Sequence, residues 1–126
     1  MIKPIQGIAP IAFKYKWQIK DEWKKGNLPT VQFDIYGDKI VKPTVEHIIA
    51  KSKGGASSAC NYAIANELSN QLRGNEPILK YTTIENIVNW FKQFIGVKTA
   101  KVDGNAYIKE ATNYLAKNGI KLDIKV

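Results

Sequence analysis

The chain contains one histidine, His47, which follows Glu46 in the stretch TVEHIIAKSKGG at residues 44–55. A lone imidazole excludes metal sites built from several histidines. It leaves schemes in which one imidazole works with carboxylate or amide partners. Cys60 is the single cysteine, so neither an intramolecular disulfide nor a cysteine-built zinc site can be completed. Ser52 or Cys60 paired with His47 is formally a hydrolase arrangement, but neither lies in a nucleophile context such as G-x-S-x-G. Cys60 reads better as a small buried residue. Hydrolysis by a metal-activated water is the stronger candidate. Phosphodiester cleavage needs a base for the water and a divalent cation at the scissile phosphate, held by ligands that do not fully neutralise it. Glu46 offers a hard oxygen ligand beside His47, and Asn61 and Asn70 carry amides that can hold backbone or bind metal.

Taken singly, each of these residues has an ordinary structural reading. His47 can be a half-buried polar side chain, Asn61 a helix N-cap, Asn70 a surface amide, and Lys51 with Lys53 a solvated loop. Their order along the chain and the elements between them carry the functional reading.

Those elements begin with a β-hairpin, expected from the β-branched and aromatic runs Val31–Ile35 and Ile40–Val45 around the turn Tyr36-Gly37-Asp38-Lys39. It ends at Glu46-His47. Adjacent strand residues point to opposite faces, so the pair can serve one site only where the strand ends or its ladder is distorted. KSKGGASS, residues 51–58, has loop composition, with paired glycines that tolerate unusual backbone angles. NYAIANELSNQL, residues 61–72, favours a helix closed by Arg73-Gly74-Asn75 and Pro77. Thr82-Thr83-Ile84-Glu85 fits a capping box, with the Thr82 hydroxyl on the Glu85 amide, ahead of a helix near 83–95 whose apolar face is Ile84, Ile87, Val88, Phe91 and Ile95. Another helix is expected after Asp103, burying Tyr107, Ile108, Ala111, Tyr114 and Leu115 and stopping at Asn118-Gly119. The tail IKLDIKV alternates as a terminal strand would. Before all of these, IAFKYKWQIKDEWKK interleaves aromatics with lysines and suggests a short helix, Tyr15 to Lys25. Phe13, Tyr15, Trp17 and Trp23 read as core, while the lysines suit a nucleic-acid groove.

At these residues the chain resembles the HNH nucleases, whose ββα-metal motif has an Asp-His or Glu-His pair, a loop, a middle Asn, and a third His or Asn on a helix. The resemblance spans about residues 31–75: T-V-E-H-I-I-A-K-S-K-G-G is similar to the first strand end and loop, N-Y-A-I-A to the middle segment, and S-N-Q-L-R-G-N to the helix. It implies an α+β fold with an HNH core, an N-terminal basic segment and two C-terminal helices at about 82–119. It implies His47 as general base, Glu46 and Asn70 as ligands of one divalent cation, and Asn61 as the residue that pins the loop and orients His47. An amide in the third position favours magnesium or manganese over zinc. Arg73, one turn after Asn70, would hold a phosphate oxygen, and Lys51 and Lys53 would contact the nucleic-acid backbone. Many relatives carry two C-x-x-C pairs for a structural zinc. Those places hold Phe33, Tyr36, Asn66 and Ser69 here, so no structural zinc is expected and Phe33 and Tyr36 would pack in its stead.

Length and charge agree with this. At 126 residues one domain is expected, and 19 Lys and Arg against 11 Asp and Glu give +8, a field that attracts polyanions. DNA is the leading partner. No run of about 18 apolar residues suggests a membrane span. The N-terminus, interrupted by proline and glycine, makes a poor signal peptide, so a cytoplasmic, intracellular setting is expected. Compact phage enzymes are a familiar setting of the family. The alternative is a non-catalytic HNH-fold module that binds nucleic acid or a protein partner.

Overall fold

The computed structural model describes residues 24–25, 34–98 and 103–126. The proposed N-terminal helix and its aromatics fall outside the described residues apart from Lys24 and Lys25, as do Val31 to Phe33. Among the described residues the fold is α+β, with one two-stranded antiparallel sheet and three α-helices. Strand β1 is Pro43–His47 and β2 is Tyr62–Asn66, followed directly by α1, Glu67–Arg73; α2 is Ile84–Lys92 and α3 is Gly104–Lys117. No helix among the described residues is long and apolar enough to cross a membrane.

Among the described residues the sheet pairs β1 with β2, from Pro43↔Asn66 to His47↔Tyr62, across the loop. The first strand of the expected hairpin, Val31–Ile35, lies mostly outside the described residues. The Tyr36–Lys39 turn is held by Asp34, which is buried: its Oδ1 accepts from the Tyr36 and Asp38 amides at 3.0 Å each, and its Oδ2 from the backbone and side-chain nitrogens of Asn66, both at 3.1 Å. Asn66 in turn accepts from the Val41 amide at 2.6 Å and donates to Lys39 O at 3.0 Å. One side chain, Asn66, thus binds the backbone of residues 39, 41 and 42 just ahead of the first residue of β1.

Residues 62–66 were expected to be helical and are a strand instead. Tyr62, Ala63, Ile64 and Ala65 are all buried, so both faces are covered, and a short apolar run of this kind has no period that separates strand from helix. The helix begins at Glu67 and stops at Gly74, whose φ of 57° is in the left-handed region.

The two later helices form with shifted detail. Thr83, not Thr82, caps α2, accepting from the Asn86 amide at 3.1 Å, while the Thr82 hydroxyl donates to Ile35 O. The buried face of this region is Ile87, Trp90, Phe91 and Phe94; Ile84 and Ile95 are exposed. Asp103 caps α3, and Tyr107, Ile108, Ala111 and Leu115 are buried with Tyr114 packed against them, the expected face. Phe94 and Tyr107 meet edge to face at 4.9 Å, and Phe91 lies 5.5 Å from Tyr107, which joins the two helices. The tail after Ile120 forms no strand, although Ile120 and Leu122 are buried in alternation with exposed lysine and aspartate.

Candidate active site

The loop between β1 and β2 is shaped by one amide. Asn61 is fully buried, and its Oδ1 accepts from the Ile49 amide at 2.8 Å while its Nδ2 donates to Ile49 O at 2.9 Å and Ala56 O at 3.0 Å. Its own carbonyl accepts from the Ile48 amide at 2.8 Å. The loop then folds through a 3-10 turn, Lys51–Lys53, ended by Gly54 with φ 87°, and a second, Ala59–Asn61, leads into β2. Gly55 is required for a different reason: a Cβ there would lie 1.8 Å from Ile49 O. The Tyr114 hydroxyl accepts from the Ala56 amide at 2.8 Å, which ties the loop to α3.

Glu46 and His47 leave the end of β1 on different errands. The Glu46 carboxylate is buried; Oε1 accepts from Arg73 Nη1 at 2.8 Å and Oε2 from the Tyr36 hydroxyl. Burial raises the Glu46 carboxyl above the ordinary carboxylate range, against the lowering pull of the Tyr36 hydroxyl and the Arg73 guanidinium. Burial, then the neighbouring Glu46, raises the Tyr36 phenol far above its usual value, so it stays a neutral donor. His47 is half-buried, with its ring edge-on to its cross-strand partner Tyr62 at 5.0 Å and its Nε2 3.4 Å from Ser57 Oγ.

Arg73 is the most heavily engaged side chain of the region. Besides Glu46, its Nη1 donates to His47 O at 2.6 Å, its Nη2 to Ile48 O at 2.9 Å and its Nε to Glu76 O at 2.8 Å. A guanidinium with four of its five N–H groups held by protein, and almost no exposed surface, is first a clamp on the strand end. The free phosphate contact expected from the sequence would have to use the one remaining N–H.

A cleft of about 200 Å³ opens at this point, and Glu46, His47, Lys51, Ser52, Asn70 and Arg73 are among the residues that line it. Asn70 reaches it from α1, and its side chain makes no hydrogen bond to the described residues. Lys51 and Lys53 are exposed, Lys51 at this cleft and Lys53 at the adjoining pocket. Asn61 does not line the cleft and acts behind it, through the loop. Among the described residues no group of three or more His, Cys, Asp or Glu side chains converges.

Sequence reasoning missed Asp34, Asn66, Ser57 and the polar role of Tyr36. Tyr36 and Glu46 are ten residues apart and Arg73 is 27 beyond Glu46, separations with no local signature. No family model matches the chain, and no curated protein or solved structure matches it.

Proposed function

We propose that the protein is a metal-dependent endonuclease of the HNH type that hydrolyses DNA phosphodiester bonds. The observation that carries this reading is the convergence of Glu46, His47, Asn70 and Lys51 on one cleft, at the end of a strand–loop–strand–helix unit whose loop is held by Asn61.

The donor chemistry suits a hard divalent cation such as magnesium or manganese. A carboxylate has about four lone-pair sites, of which Tyr36 and Arg73 use two at Glu46, and Asn70 lines the same cleft. Two protein donors beside a guanidinium make a weak resident site, and water and substrate phosphate would complete it. When bound by Glu46 and Asn70, the cation supplies Lewis-acid stabilisation of the phosphate and of the leaving oxygen. His47 takes a proton from a water, which attacks phosphorus in line and breaks the bond to the 3′-oxygen. Lys51 at the cleft rim offsets phosphate charge. Arg73 fixes His47 through its carbonyl and Glu46 through its carboxylate, so base and ligand keep their relative position.

Plasmid DNA with magnesium or manganese should be nicked or linearised, and His47→Ala should reduce the rate by about 100-fold or more. Undiminished cleavage by that variant would end the mechanism. The engagement of both Glu46 oxygens by protein donors favours a second reading, a non-catalytic module of the same fold that binds nucleic acid. Calorimetry separates the two: a divalent cation taken up in the presence of DNA supports the nuclease, and none taken up with or without DNA supports the binding module.

A further inference from the structure

Beside the cleft lies a second cavity, larger and different in kind. It measures about 370 Å³, within the range of small-ligand pockets. Its walls are aliphatic, with Ile48, Ile49, Pro77, Ile78, Leu79 and Ile120 among them. Its polar groups are few: Lys53, Asn75 and Asn118 are three of them. Glu76 also lines it, and its carboxylate is tied to Lys80 Nζ at 2.8 Å. The cavity adjoins the cleft: Ala50, Arg73 and Asn75 line both. The turn Lys51–Lys53 supplies Lys51 to one and Lys53 to the other.

We propose that this pocket receives one unstacked base of a DNA strand whose phosphate lies in the neighbouring cleft. The inference rests on the nucleic-acid reading above and adds a substrate preference to it. An aliphatic slot takes the faces of a flat heterocycle by burying them from water. Asn75, whose side chain makes no hydrogen bond to the described residues, offers a donor and an acceptor to the base edge. Lys51 and Lys53 place positive charge where the flanking phosphates of one strand must pass, in a chain of net charge +8. A base inside an intact duplex cannot enter such a pocket without leaving its stack, a step that is cheapest in strands already unpaired. The site therefore selects single-stranded or locally opened DNA.

The test uses the full chain, without divalent cation, and three fluorescein-labelled oligonucleotides of equal length: a single strand, the same strand with abasic residues throughout its centre, and the duplex. The single strand should bind about tenfold tighter than its abasic counterpart, the scale of one well-held base. Leu79 is 45% exposed, so Leu79→Trp fills the pocket mouth without touching the core. That variant should bring the ratio close to one while leaving duplex affinity unchanged, and Asn75→Ala should lower the ratio. Equal binding of normal and abasic strands, or a ratio indifferent to Leu79→Trp, overturns the pocket. The two failures are distinguishable. Metal-dependent plasmid cleavage with a ratio of one removes the pocket and keeps the nuclease, whereas a tenfold ratio without cleavage does the reverse.

Discussion

Between Pro43 and Arg73 an apolar sheet core is joined by three buried polar side chains, Glu46, Asn61 and Arg73, whereas between Ile84 and Lys117 the buried side chains are aromatic and aliphatic. Asn61 and Arg73 hold the first region through bonds of 2.6 to 3.0 Å to particular carbonyls and amides, and the Glu46 carboxylate accepts from Arg73 at 2.8 Å. Trp90, Phe91, Phe94, Tyr107 and Ile108 hold the second by contact alone, apart from the Tyr107 hydroxyl, which lies 3.1 Å from Ala59 O. The difference follows from what each region must do. A loop that borders a cleft has little apolar surface of its own, so its shape must come from directional bonds. Two helices need only fill volume, and volume can be filled in several ways.

The largest effect should come from breaking the polar clamp. Arg73→Met leaves the Glu46 carboxylate buried without its counter-charge and removes donors from three carbonyls, so a loss of about 3–5 kcal/mol is expected in urea unfolding. Adding Glu46→Gln should recover part of that loss, because the uncompensated charge is then gone. A double variant no more stable than Arg73→Met would mean that the carbonyl bonds, not the ion pair, carry the clamp.

A matched pair of near-isosteric changes sharpens the comparison. Asn61→Asp turns two N–H donors into an oxygen facing the Ile49 and Ala56 carbonyls, and should cost at least about 2 kcal/mol. Ile108→Leu, equally buried in α3, conserves volume and should cost under about 1.5 kcal/mol. If the two costs came out reversed, the polar region would not be the more exacting one.

The same contrast explains what the sequence made legible. α3 was readable because its cap, its period and its stop are all local: Asp103, then Tyr107, Ile108, Ala111 and Leu115, then Asn118-Gly119. The spacing of Glu46-His47, Asn61 and Asn70 was visible too, since their order survives without knowledge of the contacts. The clamp was not, because Tyr36, Glu46 and Arg73 lie far apart in sequence and meet only once the sheet has formed. β2 was misread for a related reason. YAIA suits a helix by its alanines and a strand by its tyrosine and isoleucine, and pairing with PTVEH decided the matter. In the tail the alternation was a true record of burial, but among the described residues no strand pairs with it.

The smallest effect belongs to a charged device in the apolar region. Asp103 caps α3 by accepting from the Ala106 amide at 3.3 Å, and Lys98 Nζ lies 3.1 Å from its other oxygen. The amide bond first, and then Lys98, holds the Asp103 carboxyl below its ordinary value. A depressed acid stabilises the fold above its unfolded pKa, near 3.9, and loses that contribution as pH falls through the lower, folded value. Asp103→Ala should therefore cost about 1 kcal/mol at neutral pH and progressively less below about pH 4. Asp103→Asn keeps an oxygen for the Ala106 amide and loses the charge, so it should stay close to the parent at neutral pH and unfold with a shallower acid dependence. The Lys98 pair, exposed at 76% and 41% on its two side chains, should add little. Lys98→Ala then leaves the acid dependence nearly intact, whereas a strong loss in that variant would shift the origin of the effect from the helix cap to the ion pair.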